Sequence, residues 1–142
     1  VTGVQTCALP IYTSATLAFL MDDERDSAAV ALFEKITTSG ASVPTLWSYE
    51  VANSLTMAVK RGRITNKDRS ESLKNLTKLN IRVEHAELDV VWHDIVALAD
   101  LHSLTVYDAA YLELAQRMRV PLATLDDALA RACEASAVTL AL

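Results

Sequence analysis

Residues 104–114 read LTVYDAAYLEL, and the fold turns on how Asp108 is accommodated within them. The segment has helical period and is otherwise apolar. Tyr107, Tyr111, Leu112 and Leu114 supply bulk, while Ala109, Ala110 and, just beyond, Ala115 let neighbours approach closely. A carboxylate on a face expected to be buried is costly unless something pairs with it. An Asp in the first turn of a helix begun near Val106 is also an ordinary helix-start residue. The stretch alone supports both readings, and the carboxylates of three other segments bear on the choice.

Working outward, a chain of 142 residues with 51% hydrophobic content is expected to form one domain around a real core. No apolar run approaches the ~20 residues of a membrane span, and no basic segment precedes an apolar one as in a secretory signal. Cys7 and Cys133 offer no disulfide framework, which fits a reducing, cytoplasmic setting. The net charge of -5 argues against general adhesion to nucleic acid. That average hides a basic stripe. Lys60, Arg61, Arg63, Lys67, Arg69, Lys74, Lys78 and Arg82 face only Asp68 and Glu71 between positions 60 and 82, so this stretch carries about +6 and the remainder about -11. Such a stripe can hold a polyanion while an acidic site sits elsewhere; a solvated helical face is the plainer reading.

Residues 1–11, VTGVQTCALPI, do not read as the start of a domain. They have no clean periodicity, and Pro10 stands where a strand should run. The segment looks like the translation of a common DNA-sequencing adapter, so residues 1–11 are set aside as non-native and residues 12–142 are taken as the domain. The adapter likeness ends one base into codon 12 and supplies a T. Because Tyr and Asp codons differ only in their first base, Tyr12 is hypothesised to stand where the source gene encodes Asp. Finding Tyr, or the eleven residues themselves, in the intact source locus would remove this idea.

Residues 13–21 form a short apolar helix pattern opened by Ser14 as N-cap, followed by an acidic turn at Asp22, Asp23 and Glu24. Residues 26–38 have helical spacing and stop at Gly40. Residues 41–43 are a strand candidate, residues 45–60 a long helix and residues 65–79 a second helix after Gly62. The two helices make a hairpin carrying the basic stripe. Residues 81–83 are a brief strand, and residues 88–102 a helix with Val91, Trp92, Ile95, Leu98 and Ala99 inward. After the central stretch come strand candidates at 120–123 and 138–140 around a helix over 128–134. Short apolar strands alternating with helices predict a three-layer α/β/α sandwich with a mostly parallel central sheet.

In such a fold, sites lie at the carboxyl ends of the strands. Position 12 ends the expected first strand, and Asp126 follows the strand VPLATL. Asp108 and Glu50 lie on helices able to lean over the same edge. Converging carboxylates repel one another unless a cation neutralises them or some are protonated. Oxygen-only ligation favours Mg²⁺ or Mn²⁺. No Cys/His pair has zinc spacing, and His85, His93 and His102 read as surface or capping residues.

From residue 12 onward the chain resembles the PIN-domain ribonucleases, specifically the VapC-like toxins of bacterial toxin–antitoxin pairs. The resemblance rests on Tyr12-Thr13-Ser14 against a family form D-x-S, Glu50 in WSYEVAN, Asp108 in TVYDAAYLELA and Asp126 in LATLD. Each motif alone is weak; their order, and the eighteen residues from Asp108 to Asp126, are more specific. The resemblance implies a PIN-like domain and metal-dependent hydrolysis of RNA phosphodiesters. It implies that Glu50, Asp108 and Asp126 are the catalytic, metal-binding acids, with Mg²⁺ or Mn²⁺ as cofactor. The family's first Asp falls on Tyr12, where this chain departs, so the chain as written is expected to be impaired. Ser14 and Thr124 are expected as hydrogen-bond donors around the site and Asn53 as a brace. Lys60, Arg61, Arg63, Lys67 and Arg69 are expected to grip RNA. A cognate antitoxin and a homodimer are implied partners, with no membrane involved. Three other readings stay open: a PIN-like module that binds RNA or protein without cutting, a phosphohydrolase on another Rossmann-like fold, and four acids that merely cap helices.

Overall fold

The computed structural model describes residues 9–21 and 26–141. Three parallel strands form its sheet: β1 (Leu9–Pro10), β2 (Ala41–Pro44) and β3 (Ile81–Glu84), in that order. Leu9 pairs with Ala41, and Ala41 in turn with Ile81. Single parallel bridges, Ile11 to Ala123 and Leu122 to Leu140, extend the sheet on the far side of β1. The strand candidates at 120–123 and 138–140 therefore shrink to these bridged residues. The acidic turn at 22–24, like Cys7, lies outside the described residues.

Among the described residues, seven α-helices connect these positions: α1 (Thr13–Leu20), α2 (Ser27–Ser39), α3 (Leu46–Lys60), α4 (Asn66–Thr77), α5 (Val96–His102), α6 (Val106–Met118) and α7 (Asp127–Ala135). Strand order moves outward from β1 to β3, then returns past β1 to Ala123 and Leu140. Right-handed crossovers put helices made before and after such a reversal on opposite faces of a sheet. The packing agrees: α1 meets α2 and α3, and α3 meets α4, whereas α6 meets α5 and α7. The result is the α/β sandwich with a parallel sheet expected from the alternation of elements. Among the described residues no helix is long and apolar enough to cross a membrane.

Residues 9–11, set aside in reading the sequence, occupy the middle of this sheet. Ile11 is fully buried, and its N–H donates to Ser42 O at 3.3 Å. Pro10 accepts from Ala123 N at 3.1 Å but has no N–H to give back.

Local chemistry explains most helix ends. Asp26 caps α2 by accepting from Ala29 N at 2.8 Å. Gly40 takes φ 76° as the chain leaves α2, and a Cβ there would stand 2.6 Å from Asn80 O. Thr65 and Asp68 form a reciprocal capping box on α4. Ser14 does not cap α1 as expected; Tyr12 occupies that position and makes no side-chain cap bond.

A second correction concerns residues 88–102. Residues Val90–Ile95 form a π-helical turn that runs into α5. Its wider repeat breaks the 3.6-residue face, so Trp92 is 62% exposed rather than inward. Ile95 and Ala99 do face in, packing on Ala109 and Ala110.

The larger core gathers Val51 and Leu55 of α3, Tyr111 and Leu112 of α6, and Ile11, Val43 and Leu122 of the sheet. Cys133 is buried within it, and burial, aided by the charge of Glu134, pushes its thiol up to about 11. Trp47 Nε1–H donates to the buried Thr16 Oγ1 at 3.0 Å, tying α3 to α1. Trp47→Phe deletes that donor and is expected to cost about 1–3 kcal/mol of stability in urea unfolding. An unchanged midpoint would show that the bond contributes nothing net.

Candidate active site

The strand order reverses between β1 and the Ala123 bridge, and a crevice opens at the carboxyl ends of strands at such a point. Tyr12 stands at this edge of the sheet, directly after Ile11. Its N–H donates to Ala123 O at 2.8 Å, which fixes it against the loop carrying Asp126. The Tyr12 phenol does not turn to solvent. Its O–H donates to Asp108 Oδ1 at 2.6 Å, across 96 residues of sequence. The ring meets that of Tyr111 edge-on, with centroids 4.7 Å apart.

Asp108 sits in the first turn of α6. Thr105, not Asp108, caps this helix, accepting from Asp108 N at 3.1 Å. The carboxylate is thereby left to face Tyr12, so capping alone does not explain it. Glu50, in the second turn of α3, belongs to a part-buried triangle. Tyr111 O–H donates to Glu50 Oε1 at 2.6 Å, Thr13 O–H donates to the same oxygen at 3.1 Å, and the two hydroxyls lie 3.1 Å apart. Asp126 is the N-cap of α7, accepting from Leu129 N at 2.8 Å through Oδ1. The capping reading thus holds for one oxygen of Asp126.

The three acids all act electrostatically on Tyr12. Burial pushes the Tyr12 phenol well above the usual tyrosine range, followed by the hydrogen bond to Asp108 and the negative potentials of Asp108, Asp126 and Glu50. For Tyr111 burial again comes first, then the bond to Glu50. Both phenols are therefore held neutral in the fold. In the unfolded chain they ionise near the ordinary value of about 10. Above that pH the unfolded state binds fewer protons than the native state, so stability falls as pH rises. Alkaline unfolding is expected to begin above about pH 10, with late phenolate absorbance appearing together with loss of helix. Tyr12→Phe should delay that unfolding; phenolate appearing in full while the helical signal is intact would contradict the burial of both groups.

The expected bracing residues behave differently from their assigned roles. Ser14 Oγ accepts from Leu125 N at 2.9 Å, and Thr124 Oγ1 accepts from Asp126 N at 3.0 Å. Both hold the Asp126 loop through its backbone instead of donating to a carboxylate. Asn53 is exposed on α3, and its side chain makes no hydrogen bond among the described residues. Thr13 and Tyr111 escaped the sequence reading, in which Tyr111 was only apolar bulk. The available signal was chemical: a buried tyrosine hydroxyl needs a partner, and Glu50 was an unpaired acid.

Of the basic residues, Lys60, Arg61, Arg63 and Lys67 are exposed. Arg69 turns back to donate to Thr56 Oγ1 at 3.3 Å and Asn66 Oδ1 at 3.2 Å. The exposed Lys67–Glu71 pair at 3.9 Å adds little stability. His85 and His93 are at the surface, and His85 Nδ1 lies 3.1 Å from Thr45 Oγ1.

The donor types suit a hard divalent cation. Asp108, Glu50 and Asp126 each engage one carboxylate oxygen, leaving the second without a hydrogen bond among the described residues. Their placement does not yet suit one: among the described residues no three acid, imidazole or thiol side chains stand together as an ion cage. Tyr12 brings a neutral donor among these acids, bonded to Asp108 and within the negative potential of Asp126 and Glu50.

Comparison with known proteins bears on what this crevice is. The family model for the PIN domain matches residues 12–135. A curated relative, Ribonuclease VapC3 of Pyrobaculum aerophilum, is 34% identical over 124 residues, spanning 86% of this chain and 92% of the relative. The crystal structure of PAE2754 from Pyrobaculum aerophilum has a TM-score of 0.63 at 22% identity, covering 92% of this chain and 87% of that one. At that identity the likeness is one of fold.

Proposed function

The chain belongs to the PIN-domain family, and from that premise we propose that it is a metal-dependent endoribonuclease scaffold, the toxin half of a toxin–antitoxin pair. The observation that carries the reading is residue 12 at the strand-order reversal, bonded through its hydroxyl to Asp108 and lying in the negative potential of Asp126 and Glu50 as well. The name of the VapC3 relative supports RNA as the substrate. Asp108 and Asp126 would hold Mg²⁺ or Mn²⁺, and Glu50 would join them or orient the attacking water. A bound ion of this kind lowers the pKa of water and offsets charge on the phosphate. Ser14 and Thr124 keep the Asp126 loop in place through Leu125 and Asp126 N–H groups. Thr13 and Tyr111 both donate to Glu50 Oε1 and so orient its carboxylate. The exposed cations Lys60, Arg61, Arg63 and Lys67 would take the RNA backbone without reading its sequence; Arg69 also donates to Thr56 and Asn66.

A second reading has its own observation. In the chain as written Tyr12 occupies one oxygen of Asp108, which favours a PIN-like binding module with an impaired site. A nuclease of this kind requires an inhibitor in its own cell, so a cognate antitoxin is the proposed partner. A homodimer is proposed as its assembled form. The test is incubation of the Tyr12→Asp form with a structured RNA pool and Mn²⁺. Cleavage abolished by chelator supports the ribonuclease; an intact pool with folded protein favours the binding module.

A further inference from the structure

Of the two tyrosines expected to add bulk to α6, Tyr107 is 65% exposed, while Tyr111 is fully buried and spends its hydroxyl on Glu50. Glu50 thereby differs from the other two acids. Among the described residues, Oδ1 of Asp108 and Oδ1 of Asp126 each accept one hydrogen bond. Oε1 of Glu50 accepts two, from Tyr111 at 2.6 Å and from Thr13 at 3.1 Å. A carboxylate oxygen offers two lone-pair sites, so Oε1 is filled. Oε2 accepts none among the described residues. The two hydroxyls come from the elements that also carry residue 12 and Asp108. Thr13 opens α1 directly after residue 12, and Tyr111 stands three residues beyond Asp108, on the same side of α6. Neither hydroxyl leaves Glu50 cheaply. Thr13 and Tyr111 are both buried, and releasing Oε1 would strand two buried polar groups.

We propose that Thr13 and Tyr111 are positioning residues that confine Glu50 to one free oxygen, Oε2, and thereby make the site discriminate against Ca²⁺. This rests on the ribonuclease reading and adds an ion specificity to it. A carboxylate with both oxygens free can clasp an ion bidentately. That mode suits Ca²⁺, which takes roughly six to eight oxygens in a loose geometry. A carboxylate with one free oxygen supplies a single ligand, or a single acceptor for a water. That suits Mg²⁺ and Mn²⁺, which favour an octahedral array of oxygens. Thr13 and Tyr111 need touch neither ion nor RNA to have this effect, because they act through Glu50.

The test is calorimetric titration of the Tyr12→Asp form with Mn²⁺ and, separately, with Ca²⁺, in the absence of RNA. Adding Tyr111→Phe is expected to lower the ratio of Mn²⁺ to Ca²⁺ affinity about tenfold. Losing a group that orients a ligand costs a metal site about that much, while the freed Oε1 gives Ca²⁺ a second contact. Thr13→Val removes the longer of the two bonds and should move the ratio the same way by less. Thr13→Ser keeps a hydroxyl and should leave the ratio where it was. Thermal melts show which forms fold; if Tyr111→Phe does not, the two Thr13 variants decide. Equal weakening of both ions overturns the proposal, because a merely structural role changes no preference between them. A ratio unmoved in Tyr111→Phe and Thr13→Val overturns it as well. In both cases Mn²⁺ binding by the Tyr12→Asp parent leaves the ribonuclease reading standing. A parent that binds no Mn²⁺ overturns both.

Discussion

Tyr12→Asp is expected to raise Mn²⁺ affinity by about 100-fold, the upper end of what losing a supporting group costs a metal site. The substitution exchanges a neutral phenol for a carboxylate and frees Asp108 Oδ1, which the phenol now holds at 2.6 Å. The backbone should accept it readily. Residue 12 is the N-cap of α1 with extended dihedrals, φ -77° and ψ 155°, and makes no side-chain cap bond. Asp is among the best residues for that position. The cost is the edge-on contact with Tyr111 and the ring's packing. The negative charge gathered at one point should also lower stability without metal and restore it with metal, a shift readable in thermal melts. Equally weak calorimetric binding by both forms would mean that position 12 is no part of a metal site.

In the Tyr12→Asp form, Asp126→Asn is expected to reduce RNA cleavage by about 100-fold or more, with α7 intact. The choice of Asn separates two roles. Asp126 Oδ1 caps α7 through Leu129 N at 2.8 Å, and Asn caps helices as well as Asp does. A ligand's charge is lost while the cap is kept. Asp108→Asn should have a similar effect, because Thr105 carries the cap of α6. Full cleavage by Asp126→Asn would return Asp126 to the status of a capping residue.

The parts of the structure legible in the sequence were those fixed by local chemistry. Gly40 and Thr65 marked helix ends, and the alternation of short apolar strands with helices marked the parallel sheet. Asp108 stood out because an acid in an apolar helical stretch needs a partner. That its partner is Tyr12 could not be read, since the contact spans 96 residues and depends on where β1 ends. Trp92 was misplaced because a π-helical turn has no clear sequence mark, and it rotated the expected inner face. Tyr111 was misread for a different reason: its apolar ring hid a hydroxyl that holds Glu50. Ser14 and Thr124, expected as donors, instead accept from backbone N–H groups of the loop that carries Asp126, which no pattern of side chains displays.

A crystal of the Tyr12→Asp form soaked in Mn²⁺ and measured at the manganese absorption edge examines the site most directly. The expected result is an anomalous peak bounded by the carboxylates of Asp108, Asp126 and the new residue 12, with Glu50 on it directly or through water. A peak elsewhere, or none at a Mn²⁺ concentration that saturates the protein in solution, would contradict the assignment of this crevice as a metal-dependent nuclease centre.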